Sequence, residues 1–190
     1  MHFISKRAVV LGVVASLGFA GTAQAALSDN DATTIVLSAG ALSVTSPAFD
    51  DFTGTALTGA IAQHLTDVSD WTVSNPGNDD GWEVTMSASP LVDPRTADAG
   101  VDDVTMNGAV LSVAAPVPTA DDAANTTADP IVAGGDISTS AFKVADAAAT
   151  AALGDWTLAQ GTDNLTLDTP ASARKGSYTS TITTTITAGV

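Results

Sequence analysis

The clearest periodicity in the chain is the stretch Gly81-Trp82-Glu83-Val84-Thr85-Met86-Ser87-Ala88. Trp82, Val84, Met86 and Ala88 alternate with Glu83, Thr85 and Ser87, the period-two pattern of a half-buried antiparallel strand. Gly154-Asp155-Trp156-Thr157-Leu158-Ala159 repeats the form, and Trp71 with Val73 repeats it again. In a strand, positions i and i+2 share a face, so each tryptophan has an aliphatic partner on its own side of a sheet. The chain holds three tryptophans, and all three stand in this setting.

Other segments alternate in the same way. Thr33 to Leu37 and Ala41 to Thr45 read as strands, the second closed by Pro47. Phe49 and Phe52 flank the acidic turn Asp50-Asp51 and are expected to cover an edge of the core. From Gln63 to Ser74 the alternation breaks between Leu65 and Val68, which predicts a bulge or short turn near Asp67. Asn75-Pro76-Gly77-Asn78-Asp79-Asp80-Gly81 is the strongest turn signal, and it brings the Trp71 and Trp82 strands close enough for a hairpin. Ala109–Val113 and Ala141–Val144 are further short strands, separated by acidic loops over 90–108 and 116–130. Ala145 to Leu153 is rich in alanine and predicts one or two helical turns ended by Gly154. Trp156–Leu158, Leu165–Leu167 and Tyr178–Thr187 follow at short intervals and read as a meander. Eight to ten short strands with one helical turn predict an all-β fold, a β-sandwich.

The N-terminus has a different pattern. Lys6 and Arg7 precede an apolar run from Ala8 to Ala20, and Ala23-Gln24-Ala25 places small residues at a cleavage site. A signal peptide over 1–25 and a single exported domain over 26–190 are expected, with no membrane span after cleavage. The chain lacks cysteine, which removes a disulfide scaffold and Cys-based zinc sites.

Charge sharpens the picture. Six Lys and Arg face 21 acidic residues, a net charge of −15; without Lys6 and Arg7, four basic residues face the same 21 and the balance is −17. Such a surface does not neutralise phosphates, so nucleic acid is not expected as a partner. Every acidic residue but Glu83 is an aspartate, a turn former.

With this order of motifs the chain resembles the WxL domain, a surface module of Gram-positive bacteria with two Trp-x-Leu motifs. Asp67-Val68-Ser69-Asp70 followed by Gly81-Trp82-Glu83-Val84 resembles the first motif, with Val84 where leucine is usual. Gly154-Asp155-Trp156-Thr157-Leu158 matches the second, and Leu165 to Pro170 with Gly176 to Thr183 match the closing strands. The resemblance implies an extracellular location and non-covalent attachment to the cell wall, with peptidoglycan as the ligand. Anionic wall polymers repel so acidic a domain, which favours recognition of the glycan–peptide mesh.

The motif residues Trp82, Val84, Trp156 and Leu158 are expected to pack the core, because tryptophan is highly buried on average. Trp71, Asn78, Asp79 and Asp80, at or beside the turn, are the candidates to face a ligand. Asp79 and Asp80 are also the best candidates for a calcium ion, although the spacing is not that of an EF-hand. His64, the sole histidine after residue 25, has no nucleophile elbow near it, and no cofactor motif occurs. The expected protein is therefore a non-catalytic wall-attachment module without a cofactor. The alternative is a structural or adhesive subunit that meets other surface proteins through an edge strand, for which Tyr178 to Thr187 is the candidate.

Overall fold

A computed structural model describes residues 35, 37–54, 56–94, 103–123, 125 and 127–189. The expected signal peptide and most of the expected first strand, Thr33 to Leu37, lie outside these residues. The described residues from Leu37 onward belong to one unit. They form β1 (Ser43–Val44), β2 (Ala62–Thr66), β3 (Trp71–Asn75), β4 (Trp82–Ala88), β5 (Val92–Asp93), β6 (Val104–Thr105) and β7 (Val110–Val113). There follow β8 (Val117–Ala120), β9 (Ile131–Val132), β10 (Gly135–Asp136), β11 (Phe142–Ala147), β12 (Gly154–Ala159), β13 (Leu165–Thr169) and β14 (Ile182–Ala188). The fold is all-β, as the alternation predicts.

All pairings between strands are antiparallel. Three four-stranded sheets run in the orders β1-β3-β12-β8, β10-β7-β13-β2 and β14-β4-β11-β9, and β5 pairs with β6. One apolar core serves all three. Trp71, Val73, Trp156 and Leu158 enter it from the first sheet, Leu111, Val113, Leu165 and Leu167 from the second, and Trp82, Val84, Met86 and Val144 from the third. Ile137, fully buried, joins two sheets through its backbone: its N–H donates to Leu111 O (2.9 Å) and its carbonyl accepts from Ala88 N–H (2.7 Å).

Strand existence follows local alternation, but partner choice does not. The Trp71 and Trp82 strands are not a hairpin: β3 pairs with β1 and β12, whereas β4 pairs with β14 and β11. Nor is the end of the chain a meander, since β12, β13 and β14 each join a different sheet. Neighbours in the chain such as β2, β3 and β4 thus enter three different sheets, and all three sheets share the one core.

The helical turn over Ala145–Leu153 is also overturned, and no helix occurs among the described residues. Ala145 and Ala147 belong to β11 and pair with Val84 and Trp82. Thr150 and Ala152 then take positive φ (64° and 44°), which ends any helical path. Helix propensity of alanine is worth a few tenths of a kcal/mol per residue, less than burial of Val144, Ala145 and Ala147 beneath the tryptophan layer. The acidic stretch after Pro116 likewise contains a strand, β8. Pro118 is tolerated there because β8 ends its sheet.

Aspartates and asparagines close the turns between layers. In the β2–β3 connection, Asp67 accepts from Asp163 N–H (2.6 Å) and Asp70 from Gln160 N–H (2.7 Å). Both donors lie in the β12–β13 connection. Between them, buried Asn164 accepts from Val68 N–H (2.6 Å) and donates to Val68 O (3.2 Å) and Gly161 O (2.6 Å). The Asp-Val-Ser-Asp segment is thus half of a two-turn lock, which holds together the sheets that contain β3 with β12 and β2 with β13.

Candidate functional site

The two tryptophan motifs lie on the inner faces of two sheets. Trp82 and Val84 are fully buried in β4, and Trp156 and Leu158 in β12 are at most 1 % exposed. The expected ligand-facing role of Trp71 does not match its position. The residue is 1 % exposed, because positions 71, 73 and 75 of β3 all turn inward and Trp71 stands opposite Leu158 in the ladder. The indole N–H of Trp156 donates to Leu153 O (3.1 Å), whereas those of Trp71 and Trp82 have no partner among the described residues.

The turns that enter the two motifs are bound to each other. Asn75, fully buried, donates to Asn78 O (3.2 Å) and Ala152 O (3.3 Å) and accepts from Asn78 N–H (3.0 Å). Thr150 N–H donates to Asp79 O (3.2 Å). Asn125 completes the lock by donating to Leu153 O (2.6 Å). Gly81 sits where the two turns touch, with φ of +77°, and a Cβ there would stand 2.7 Å from Ala147 O. Only glycine meets both demands.

Of the loop candidates, Asn78 is half-buried and Asp79 and Asp80 are exposed. The Asn78 side-chain oxygen is taken by Asp80 N–H (3.0 Å). No group of three or more His, Cys, Asp or Glu side chains placed to hold a metal occurs among the described residues. Asp79 and Asp80 are thus not joined by a third side chain of this kind among the described residues. His64 lies within 3.3 Å of the Thr169 hydroxyl. Asp136 caps the turn after β10: the Ser138 hydroxyl on its carboxylate (2.5 Å) holds the carboxyl below its usual range, and slight burial works the other way.

A cleft of about 890 Å³ opens away from the tryptophan motifs. Phe49, Phe52 and Leu57 line it from the segment before β2, Leu167 from β13, and Arg174 and Tyr178 from the β13–β14 connection. Its size lies in the range of small-ligand sites. It is assembled from segments far apart in sequence, so alternation carries no sign of it. The available signal is the adjacent pair Arg174-Lys175 in a chain with so few cations, followed closely by Tyr178.

Among known families, the WxL domain, described as a surface cell wall-binding domain, matches the chain over residues 54–189. No curated protein and no solved structure matches the chain.

Proposed function

The chain belongs to the WxL domain family of surface cell wall-binding domains, and from that premise we propose that it is a non-catalytic module that attaches without a covalent bond to peptidoglycan. The match across most of the chain carries this reading. It includes both tryptophan motifs and the closing strand, which are the parts that build the common core. In the same reading residues 1–25 are the export signal, and 26–190 form the exported domain. The motif tryptophans hold the layers together, and ligand contact falls to side chains outside the core.

Sedimentation with purified peptidoglycan stripped of teichoic acid tests this. The protein is expected in the pellet, without release of wall fragments. Protein left in the supernatant refutes wall attachment, and turnover of glycan or peptide refutes a non-catalytic role.

One observation favours the second reading, a subunit that pairs edge strands with other surface proteins. β14 ends its sheet and pairs along one side with β4, and β8 ends another with Val117 exposed. Absence of wall binding combined with self-association in light scattering would select it.

A further inference from the structure

The 890 Å³ cleft adjoins a second depression of about 350 Å³, and Met106, Arg174 and Tyr178 line both. Together they form a two-compartment groove suited to a ligand of several linked units.

The wall between the compartments is firmly held. Tyr178 OH donates to Arg174 O (3.0 Å), and Ala173 N–H donates to Pro170 O (3.0 Å). Thr179 exchanges two backbone hydrogen bonds of 2.9 Å with Val92. Gly176 lies so close to Asp93 that a Cβ would collide with its carboxylate. The backbone that carries Arg174 is therefore placed before any ligand arrives, which lowers the ordering cost of binding.

Charge is distributed unevenly here. After residue 25 the chain has four basic side chains, and two of them, Arg174 and Lys175, line this cleft. Lys143 is paired with Asp146 at 3.3 Å. The same cleft presents Asp50 and Asp51, with Phe52, Leu57 and Leu91 as apolar lining. A neutral glycan strand offers no countercharge to Arg174, Asp50 or Asp51. A polyphosphate wall polymer meets two carboxylates and a strongly anionic domain. A short peptide that carries both a carboxylate and an amine on small aliphatic residues matches all three features.

We propose that this groove binds the peptide portion of the wall, with a ligand carboxylate on the Arg174 guanidinium and a ligand amine at Asp50-Asp51. This rests on the wall-attachment reading and names its site. A guanidinium takes a carboxylate through two parallel hydrogen bonds, which a sugar hydroxyl does not reproduce.

Calorimetry of the full chain with a synthetic alanyl-glutamyl-lysyl-alanyl-alanine pentapeptide tests it. The same peptide with its carboxylates amidated and an N-acetylated glycan disaccharide serve as comparisons. Amidation, or Arg174→Gln, is expected to weaken peptide binding about tenfold or more, the scale of a hydrogen bond to a charged group. The disaccharide is expected to give no heat. Arg174 is exposed, so the urea midpoint of the variant should not move. If it does move, Leu57→Ser, at a half-exposed position of the lining, replaces it with the same expected loss. Equal binding by the variant, equal binding of the amidated peptide, or heat from the disaccharide alone overturns the groove assignment. A chain that sediments with peptidoglycan yet ignores the pentapeptide overturns the groove and leaves wall attachment standing. A chain that does neither overturns both.

Discussion

Replacing Trp156 by alanine removes the largest side chain of the second motif from a site that is 1 % exposed. Buried tryptophan-to-alanine changes cost about 3–5 kcal/mol through lost transfer energy and the cavity left behind. The indole hydrogen bond to Leu153 O is lost as well, about 1 kcal/mol. That carbonyl still accepts from Asn125 Nδ2 at 2.6 Å, so no buried acceptor is orphaned and the total stays near the cavity figure. With a urea slope of about 2 kcal/mol per molar, a loss of about 4 kcal/mol lowers the unfolding midpoint by about 2 M. Trp156→Phe keeps most of the apolar contact and leaves Leu153 O satisfied, so about 1–2 kcal/mol is expected. Urea titration followed by circular dichroism ranks the variants, and peptidoglycan sedimentation below both midpoints follows binding. The reasoning fails if Trp156→Ala keeps the wild-type midpoint while its wall binding disappears, since the ring would then be a ligand contact.

Two further outcomes follow from the turns. Gly81→Ala forces a side chain into left-handed backbone, about 1–2 kcal/mol, and also against Ala147 O, whereas Gly161→Ala meets nothing within 4 Å and should be near neutral; equal midpoints for the two would refute the close approach. The depressed carboxyl of Asp136 contributes stability above its unfolded value near 4, and that contribution is lost as pH falls through the lower folded value. The difference in midpoint between wild type and Asp136→Asn should therefore shrink from pH 6 to pH 3, and an unchanged difference would show that the Ser138 hydrogen bond does not stabilise the charged form.

Much of the architecture is readable from local pattern. Alternation around Trp82 identifies β4 and its buried face, because the side-chain period of a strand depends on the strand alone. The same holds for Leu165-Thr166-Leu167 in β13, and the turn signal from Asn75 to Gly81 marks a real connection. The order of the two motifs and the closing strand carries the family resemblance, and with it the expectation of a wall-binding surface.

Only the tertiary structure decided which strands pair. β3 and β4 are neighbours in the chain but lie in different sheets, and so do β12, β13 and β14. Pairing depends on which partner completes the common core, a non-local choice that periodicity does not encode. It also turned Ala145 and Ala147 from expected helix into strand, where burial outweighs propensity. Trp71 moved from the turn's edge to the core because β3 continues inward through Asn75, whose amide binds two turns at once. The groove beside Arg174 arose from segments far apart in the chain that meet only after folding. Each of its residues, taken singly, reads as ordinary loop or core.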